Sequence, residues 1–247
     1  MRAIIPAAGH GTRFAPFTKL SPKEMLPIGT RPAIAHIVDE AVQAGADEVI
    51  IVSSPEKPLL KRWFDEVEPP SVKLTWVWQT EQHGLGHAVS QVDSLGIAWR
   101  PGEKVLVLLG DALVSRCCAS REMVAVSAAH GGSGVIGLER VPRERVSRYG
   151  IVSAAPDGRI VDMVEKPTPD KAPSDLAVAG RYLLDAAVFA LLRDQAAGVG
   201  GEIQLTDAIR RMLADHPVYG YEYPGRRLDI GNPQGYFTAL EEMNGSH

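Results

Sequence analysis

The 247-residue sequence predicts an α/β fold: a Rossmann-like mixed, mainly parallel sheet flanked by helices, with a smaller α+β portion beginning near residue 133. Three observations carry that expectation. Apolar runs of strand type alternate with helix-period segments through the first half. A loop of very small residues follows the first of those strands directly. The second half changes rhythm, with closely spaced strand candidates joined by tight turns.

The first strand candidate, 3–6, is apolar and stops at Pro6, and Ala7-Ala8-Gly9-His10-Gly11 follows with side chains too small to obstruct a ligand. Backbone N–H groups in such a loop can face phosphate oxygens. Arg13, Lys19 and Lys23 add one planar fork and two mobile ammonium groups downstream, a set suited to a polyphosphate. Two better-known glycine loops are absent: Phe14, five residues after Gly9, stands where a P-loop needs its second glycine and a dinucleotide fingerprint its third small residue. A lone Gly-x-Gly also fits an ordinary strand-to-helix turn. The cations and the Pro22-Lys23-Glu24-Met25-Leu26-Pro27 run favour a ligand loop.

Further along, 32–45 places Ile34, Ile37, Val38, Ala41 and Val42 on one helical face, with Gly45 positioned to end the helix. Segment 48–54 reads as a buried strand, 58–66 as a helix, and 72–79 as a strand. Trp76 and Trp78 alternate on one face of the last, expected in core packing or a subunit contact. A helix opens in 84–92, and 104–111 is the most apolar strand, ending on Asp111. Alternation of this kind implies right-handed crossovers and parallel strands covered on both faces. Strand candidates 134–141, 150–154, 160–166 and 177–184 follow, with turns such as Pro156-Asp157-Gly158. A helix is expected to begin in 202–209, with Gln204 and Thr206 read as structural caps slightly ahead of substrate contacts, and 244–247 reads as a loose tail. No linker or internal repeat divides the chain, so one domain is expected over 1–247.

Bulk properties narrow the class. Apolar content of 45% and charged content of 23% are those of a soluble globular protein, and a net charge of −4 leaves no basic stripe for nucleic acid. No apolar run approaches membrane-spanning length, and the first apolar stretch is too short for a signal peptide. The two cysteines, Cys117 and Cys118, are adjacent and a poor disulfide framework. A cytoplasmic location with no membrane partner is expected.

Seven blocks occur in order nearly from end to end: AAGHGTRFAPFTKLSPKEMLP (7–27), GLGHA (84–88), GD (110–111), VEKP (164–167), AGRYLL (179–184), GEIQLTDAI (201–209) and DIGNPQGY (229–236). On these the sequence resembles the sugar-phosphate nucleotidylyltransferases, and Lys23-Glu24-Met25 with 202–207 leans toward the bacterial-type uridylyl branch. The resemblance implies the nucleotide-diphospho-sugar transferase fold, with a nucleotide-binding half (1–132) and a sugar-phosphate-binding half (133–247) in the one domain. It also implies transfer of a nucleotidyl group from a nucleoside triphosphate to a sugar 1-phosphate, giving NDP-sugar and pyrophosphate. UTP and glucose 1-phosphate, giving UDP-glucose, are the best-matched pair. dTTP or another sugar 1-phosphate is the main rival, since uracil and thymine differ by one methyl, worth only about 1–3 kcal/mol in a pocket. A non-catalytic sugar-nucleotide sensor is the remote rival, although the aspartates and Lys23 that such a protein could lose are all present.

The chemistry aligns two anions, so charge neutralisation and positioning matter more than a protein nucleophile. Magnesium suits it, binding one or two carboxylates plus phosphate oxygens. Asp111 and Asp229 sit where strand candidates end, the region in which open α/β sheets bind ligands. The resemblance implies that they are the Mg²⁺ pair, although Gly110-Asp111-Ala112 lacks a second acidic residue carried by some relatives. By the same resemblance, Arg13, Lys23 and Lys166 are catalytic. Ala7, Ala8, Gly9, Gly11 and Thr12 form the triphosphate loop. Glu24, Gln79 and Gly84 frame the base, and Glu165, Gly150 and Gly180 line the sugar pocket with Tyr149 and Arg181. His83 and His87 have a metal-ligand spacing but fall in the turn the family uses for the base. The connection at 66–71 and the segment after Tyr236 are shorter than usual for the family. A homo-oligomer, expected as a dimer, is the assembly implied.

Overall fold

The computed structural model describes residues 1–244; of the 244–247 tail, 245–247 lie outside the described residues. In chain order the strands are β1 (Arg2–Pro6), β2 (Pro27–Ile28), β3 (Arg31–Pro32), β4 (Glu48–Ser53), β5 (Lys73–Trp78), β6 (Lys104–Leu108), β7 (Ala112–Ser115), β8 (Gly134–Arg140), β9 (Gly150–Ala154), β10 (Ile160–Glu165), β11 (Leu176–Asp185), β12 (Val218–Glu222) and β13 (Arg226–Asp229). The helices are α1 (Ala33–Gln43), α2 (Pro58–Arg62), α3 (Leu85–Ser90), α4 (Ala119–Ala129), α5 (Val188–Arg193), α6 (Leu205–Met212) and α7 (Pro233–Asn244).

Nine strands form one mixed sheet along the path β10-β9-β11-β6-β1-β4-β5, with β8 joining β11 and β12 joining β8. The first-half strands β6, β1, β4 and β5 run parallel to one another, and β11 attaches antiparallel to β6. Side chains alternate across this sheet, as strand geometry requires. Ile4, Ile50, Val52, Val105 and Val107 pack on one face with Phe189, Leu192 and Ile209 of α5 and α6. Ala3, Ile5, Val49, Ile51, Leu106 and Leu108 pack on the other with Ile34, Ile37 and Val38 of α1. Burial on both faces is why these strands read as unbroken apolar runs.

Differences from the sequence reading have local causes. The 58–66 helix ends at Arg62 and passes into a wider turn over Trp63–Val67, where the Glu68 N–H donates to the Trp63 carbonyl. The 104–111 strand ends at Leu108, because the Leu109 N–H turns to the Gly180 carbonyl and the Gly110 N–H to that of Pro6. Gln204 stands at the N-cap position of α6, but neither it nor Thr206 caps the helix by its side chain: Gln204 bonds the Val199 carbonyl and Glu202, and Thr206 donates to Glu165. Trp76 stacks on Trp78 at 6.1 Å and tilts against Phe64 at 6.4 Å, with Trp78 exposed at the outer strand β5. No described helix is long and apolar enough to cross a membrane.

Candidate active site

The chain runs outward from β1 through β4 to β5, then returns to place β6 on the other side of β1. Strand order reverses between β1 and β6, and in open α/β sheets that reversal opens a crevice beyond the strands' carboxyl ends. The 7–11 loop leaves β1 there, and Leu109-Gly110-Asp111 leaves β6 beside it. Gly110 is required by the close approach: a Cβ at that position would lie 2.7 Å from the Pro6 carbonyl oxygen. A cleft of about 1220 Å³ extends from this point to the second half of the chain.

Asp229 reaches the same place by a separate route. β13 pairs antiparallel with β7, setting Asp229 opposite Ala112, and the Ile230 N–H donates to the Asp111 carbonyl at 2.9 Å. A methyl built on Gly231 would lie 2.9 Å from Asp229 Oδ1 and 3.1 Å from Asp111 Oδ2, so both carboxylates converge on one small volume. The Gly231 N–H and Asn232 amide hold Asp229 from behind. Lys23 Nζ donates to Asp111 Oδ2 at 2.6 Å. Burial alone would raise the Asp111 carboxyl, but Lys23, with a contribution from Arg13, outweighs it and holds the group below its ordinary value. Burial likewise opposes the Lys23 charge, and Asp111 and Glu24 overcome that opposition and raise it.

Of the loop residues, Ala8, Gly9 and Arg13 line the cleft. Ala7 is buried, its N–H donating to Val52, whereas Gly11, in the left-handed region at φ 64°, and exposed Thr12 turn away into the short helix Thr12–Phe14. Lys19 is exposed and outside the cleft lining. Glu24, Gln79 and Gly84 meet at one end, with Gly84 at φ 97° packed so closely on Glu202 that a Cβ there would lie 2.7 Å from the Glu202 Cβ. The Gln79 amide pairs with His87 Nδ1 at 2.8 Å, and His83 pairs with Glu81. Glu24 is only 1% exposed, and both its oxygens accept from the ammonium of Lys57. Burial pushes the Glu24 carboxyl up and the Lys57 ammonium down, each restrained by the other's charge.

At the far end Glu165, Lys166, Gly150 and Gly180 line the same cleft. Thr206 donates to Glu165 Oε2 at 2.6 Å, and a Cβ on Gly150 would press on both of those oxygens. Gly180, at φ 78°, sits where the pairing of β11 with β8 shifts register between Val178 and Tyr182. Lys166 takes a positive φ of 45°, uncommon for a non-glycine residue and a form of strain found at functional sites. Arg181 corrects the sequence reading. It is 0% exposed and points away from the cleft, where Nε lies 2.9 and 3.1 Å from the Glu40 oxygens and Nη2 lies 2.7 Å from both Glu40 Oε2 and the Ala112 carbonyl.

Three contributors went unseen in the sequence. Lys57 lies in the loop after β4, Gln82 donates to the Ala8 carbonyl at 2.5 Å, and Arg227 lies over the Tyr149 ring at 4.7 Å while bonding Glu139. Position was the available signal for Lys57, because it follows the carboxyl end of a parallel strand. Arg227 had none beyond its nearness to Asp229.

An open sheet whose switch point gathers a small-residue loop, an ammonium and two carboxylates defines an α/β enzyme that handles phosphate esters. Likeness along the whole chain gives the particular family: this chain belongs to the Nucleotidyl transferase family, whose model matches residues 2–245, and it is a nucleotidyltransferase. It is 41% identical over 267 aligned residues to the UTP–glucose-1-phosphate uridylyltransferase of Staphylococcus haemolyticus (strain JCSC1435), covering 98% of this chain and 91% of that protein. The UDP-glucose pyrophosphorylase solved with UDP-glucose superposes with a TM-score of 0.90 at 33% identity, over 100% of this chain and 99% of the other. The UTP-bound UGPase of Acinetobacter baumannii gives a TM-score of 0.85 at 32% identity, over 100% and 94%.

Proposed function

We propose that this nucleotidyltransferase joins UTP and glucose 1-phosphate into UDP-glucose and pyrophosphate. The observation that carries the reading is the convergence of Asp111, Asp229 and Lys23 beside the glycine loop, at the junction between the base end and the sugar end of one cleft. An oxygen of the sugar phosphate attacks the α-phosphorus as the bond to the pyrophosphate oxygen breaks. That nucleophile is already an anion, so the site needs no general base. It needs cations to bring two anions together, and Arg13, Lys23 and Lys166 are distributed along the cleft for that purpose.

Arg13 and Lys23 hold the triphosphate, with Ala8 and Gly9 offering backbone N–H groups. Gln79, Gly84 and Glu24 surround the base, where Glu24 retains acceptor capacity beyond its bonds to Lys57. Lys166 takes the sugar phosphate, and Glu165, oriented by Thr206, takes sugar hydroxyls beside Gly150 and Gly180. Ala7, Gly11 and Thr12 act by shaping the loop. Asp111 and Asp229 suit Mg²⁺, because two carboxylates leave the remaining positions to phosphate oxygens and water. The ion, when bound, neutralises developing charge on the transferring phosphate. Asp111 and Asp229 would hold it, and Lys23 orients Asp111 through the 2.6 Å bond from Nζ. The chain acts as one domain with nucleotide and sugar halves, in a reducing cytoplasm and as a homodimer.

The test is a pyrophosphate-release screen of nucleoside triphosphates against sugar 1-phosphates. UTP with glucose 1-phosphate should rank first and dTTP should be detectable. ATP and GTP should be poor, because adenine and guanine cannot match the pyrimidine N3–H and carbonyl pattern and leave polar groups unpaired at about 1–3 kcal/mol each. ATP or GTP used as efficiently as UTP would refute the uridylyl reading.

A further inference from the structure

A buried lysine is costly unless its protons are all taken, and those of Lys57 are. Its side chain runs beneath the glycine loop with 9% of its surface exposed. Nζ donates to the Ala7 carbonyl at 2.7 Å, to the Gly9 carbonyl at 2.6 Å, and to the Glu24 carboxylate at 3.1 and 3.0 Å. An ammonium has three protons, so two carbonyls and one carboxylate exhaust it. Lys57 therefore has no proton left for a phosphate, unlike Lys23, whose Nζ would lie 3.9 Å from a Cβ on Gly9 and reaches the cleft. Gln82 draws the Ala8 carbonyl as well. Three successive carbonyls are thus engaged by side chains, while the N–H groups of residues 8–10, which share their peptide planes, have no acceptor among the described residues. Fixing the carbonyls fixes the peptide planes, and with them the direction of the free N–H groups.

We propose that Lys57 is a positioning residue for the nucleoside triphosphate: it gathers the Ala7 and Gly9 carbonyls and the Glu24 carboxylate onto one ammonium, orienting the loop's N–H groups toward phosphate oxygens without itself touching substrate. The proposal rests on the reading that the glycine loop holds the triphosphate. It assigns to Lys57 an effect on one substrate only, because none of its partners lies at the sugar end. A lysine that merely filled space or stabilised the fold would not separate the two substrates.

The experiment compares Lys57→Met, which keeps the stem and removes the ammonium, with the wild type, using whichever triphosphate the wild type turns over best. Because Lys57→Met leaves Glu24 a buried unpaired carboxylate, the same substitution is also made in a Glu24→Gln background and compared with Glu24→Gln alone. In each comparison the KM for triphosphate should rise about tenfold or more while the KM for sugar phosphate stays within about twofold. In Lys57→Ala, n-propylammonium should restore triphosphate KM by at least about threefold where sodium at equal ionic strength does not. Equal shifts in both KM values, or a lowered melting temperature with both unchanged, would overturn the proposal. A shift confined to the sugar phosphate would overturn it together with the assignment of the glycine loop. Preference of the wild type for another triphosphate would refute the uridylyl reading alone and leave the Lys57 comparison decisive.

Discussion

Replacing Arg181 with Met should cost stability and leave substrate affinity nearly intact, contrary to what its place in the AGRYLL block suggests. The guanidinium grips Glu40 of α1 through Nε and Nη2, takes the Ala112 carbonyl through Nη2, and takes the Gly180 carbonyl through Nη1 at 3.1 Å. Ser120 donates a further hydrogen bond to Glu40. Burial would raise the Glu40 carboxyl, but Arg181 and Ser120 outweigh it and hold the group below its ordinary value. Removing the arginine strands a largely buried carboxylate, which costs about 3–5 kcal/mol. In a chain of this size that is a fall in Tm of about 6–20 °C. Removing both charges, as Arg181→Met with Glu40→Met, deprives only the Ala112 carbonyl and the Ser120 hydroxyl, both neutral, of these partners, while the Gly180 carbonyl keeps the Leu109 N–H. The double loss should therefore fall short of the sum of the single losses by about 2–3 kcal/mol. Urea unfolding of the four proteins measures the cycle, and KM for both substrates is taken on the folded variants. Additive losses would refute the buried-pair argument. A tenfold rise in sugar-phosphate KM without loss of stability would return Arg181 to the cleft.

Asp111→Asn and Asp229→Asn should each reduce turnover by about a hundredfold or more with the circular dichroism spectrum unchanged, since each removes charge where phosphate accumulates; full activity in either would remove that residue from the proposed metal pair. Lys23→Ala should chiefly raise the triphosphate KM and Lys166→Ala the sugar-phosphate KM, and initial-rate kinetics with the two effects exchanged would reverse the cleft's polarity. Glu48 lies in register between Arg2 of β1 and Lys73 of β5. Although burial opposes its charge, bonds from Lys73, Thr75 and Arg2 lower its pKa from 4.5 to about 2. Its folded value lies below the unfolded one, so its contribution is complete above about pH 4.5 and is lost as pH falls through about 2. Discounted for solvent screening, Glu48→Gln should cost about 1–2 kcal/mol at neutral pH and next to nothing once the pH is well below about 2; an unfolding difference independent of pH would exclude this.

The parallel centre of the fold was legible because its strands are buried on both faces, so that 3–6, 48–54 and 104–111 appear as plain apolar runs. Elements stabilised by other means were not. The buried face of α4 is Ala119, Ser120, Met123 and Ser127, too small and too polar to make an apolar stripe. In β13, which carries Asp229, only Leu228 is buried. The aspartates themselves were visible as strand-end residues within blocks that resemble a family. Lys57 offered only its position after a parallel strand, because a single lysine between two prolines in a turn does not show that a carboxylate and two carbonyls will close over it.

The narrow β7–β13 ladder joins two distant stretches of the chain at the candidate active centre. Asp111 lies at the end of a central strand, whereas the carboxylate facing it stands on a strand held mainly by β7 and by α7. If Asp229 acts as proposed, loosening β13 from β7 would separate the two carboxylates and silence turnover while the glycine loop, Lys23 and Asp111 stay in place.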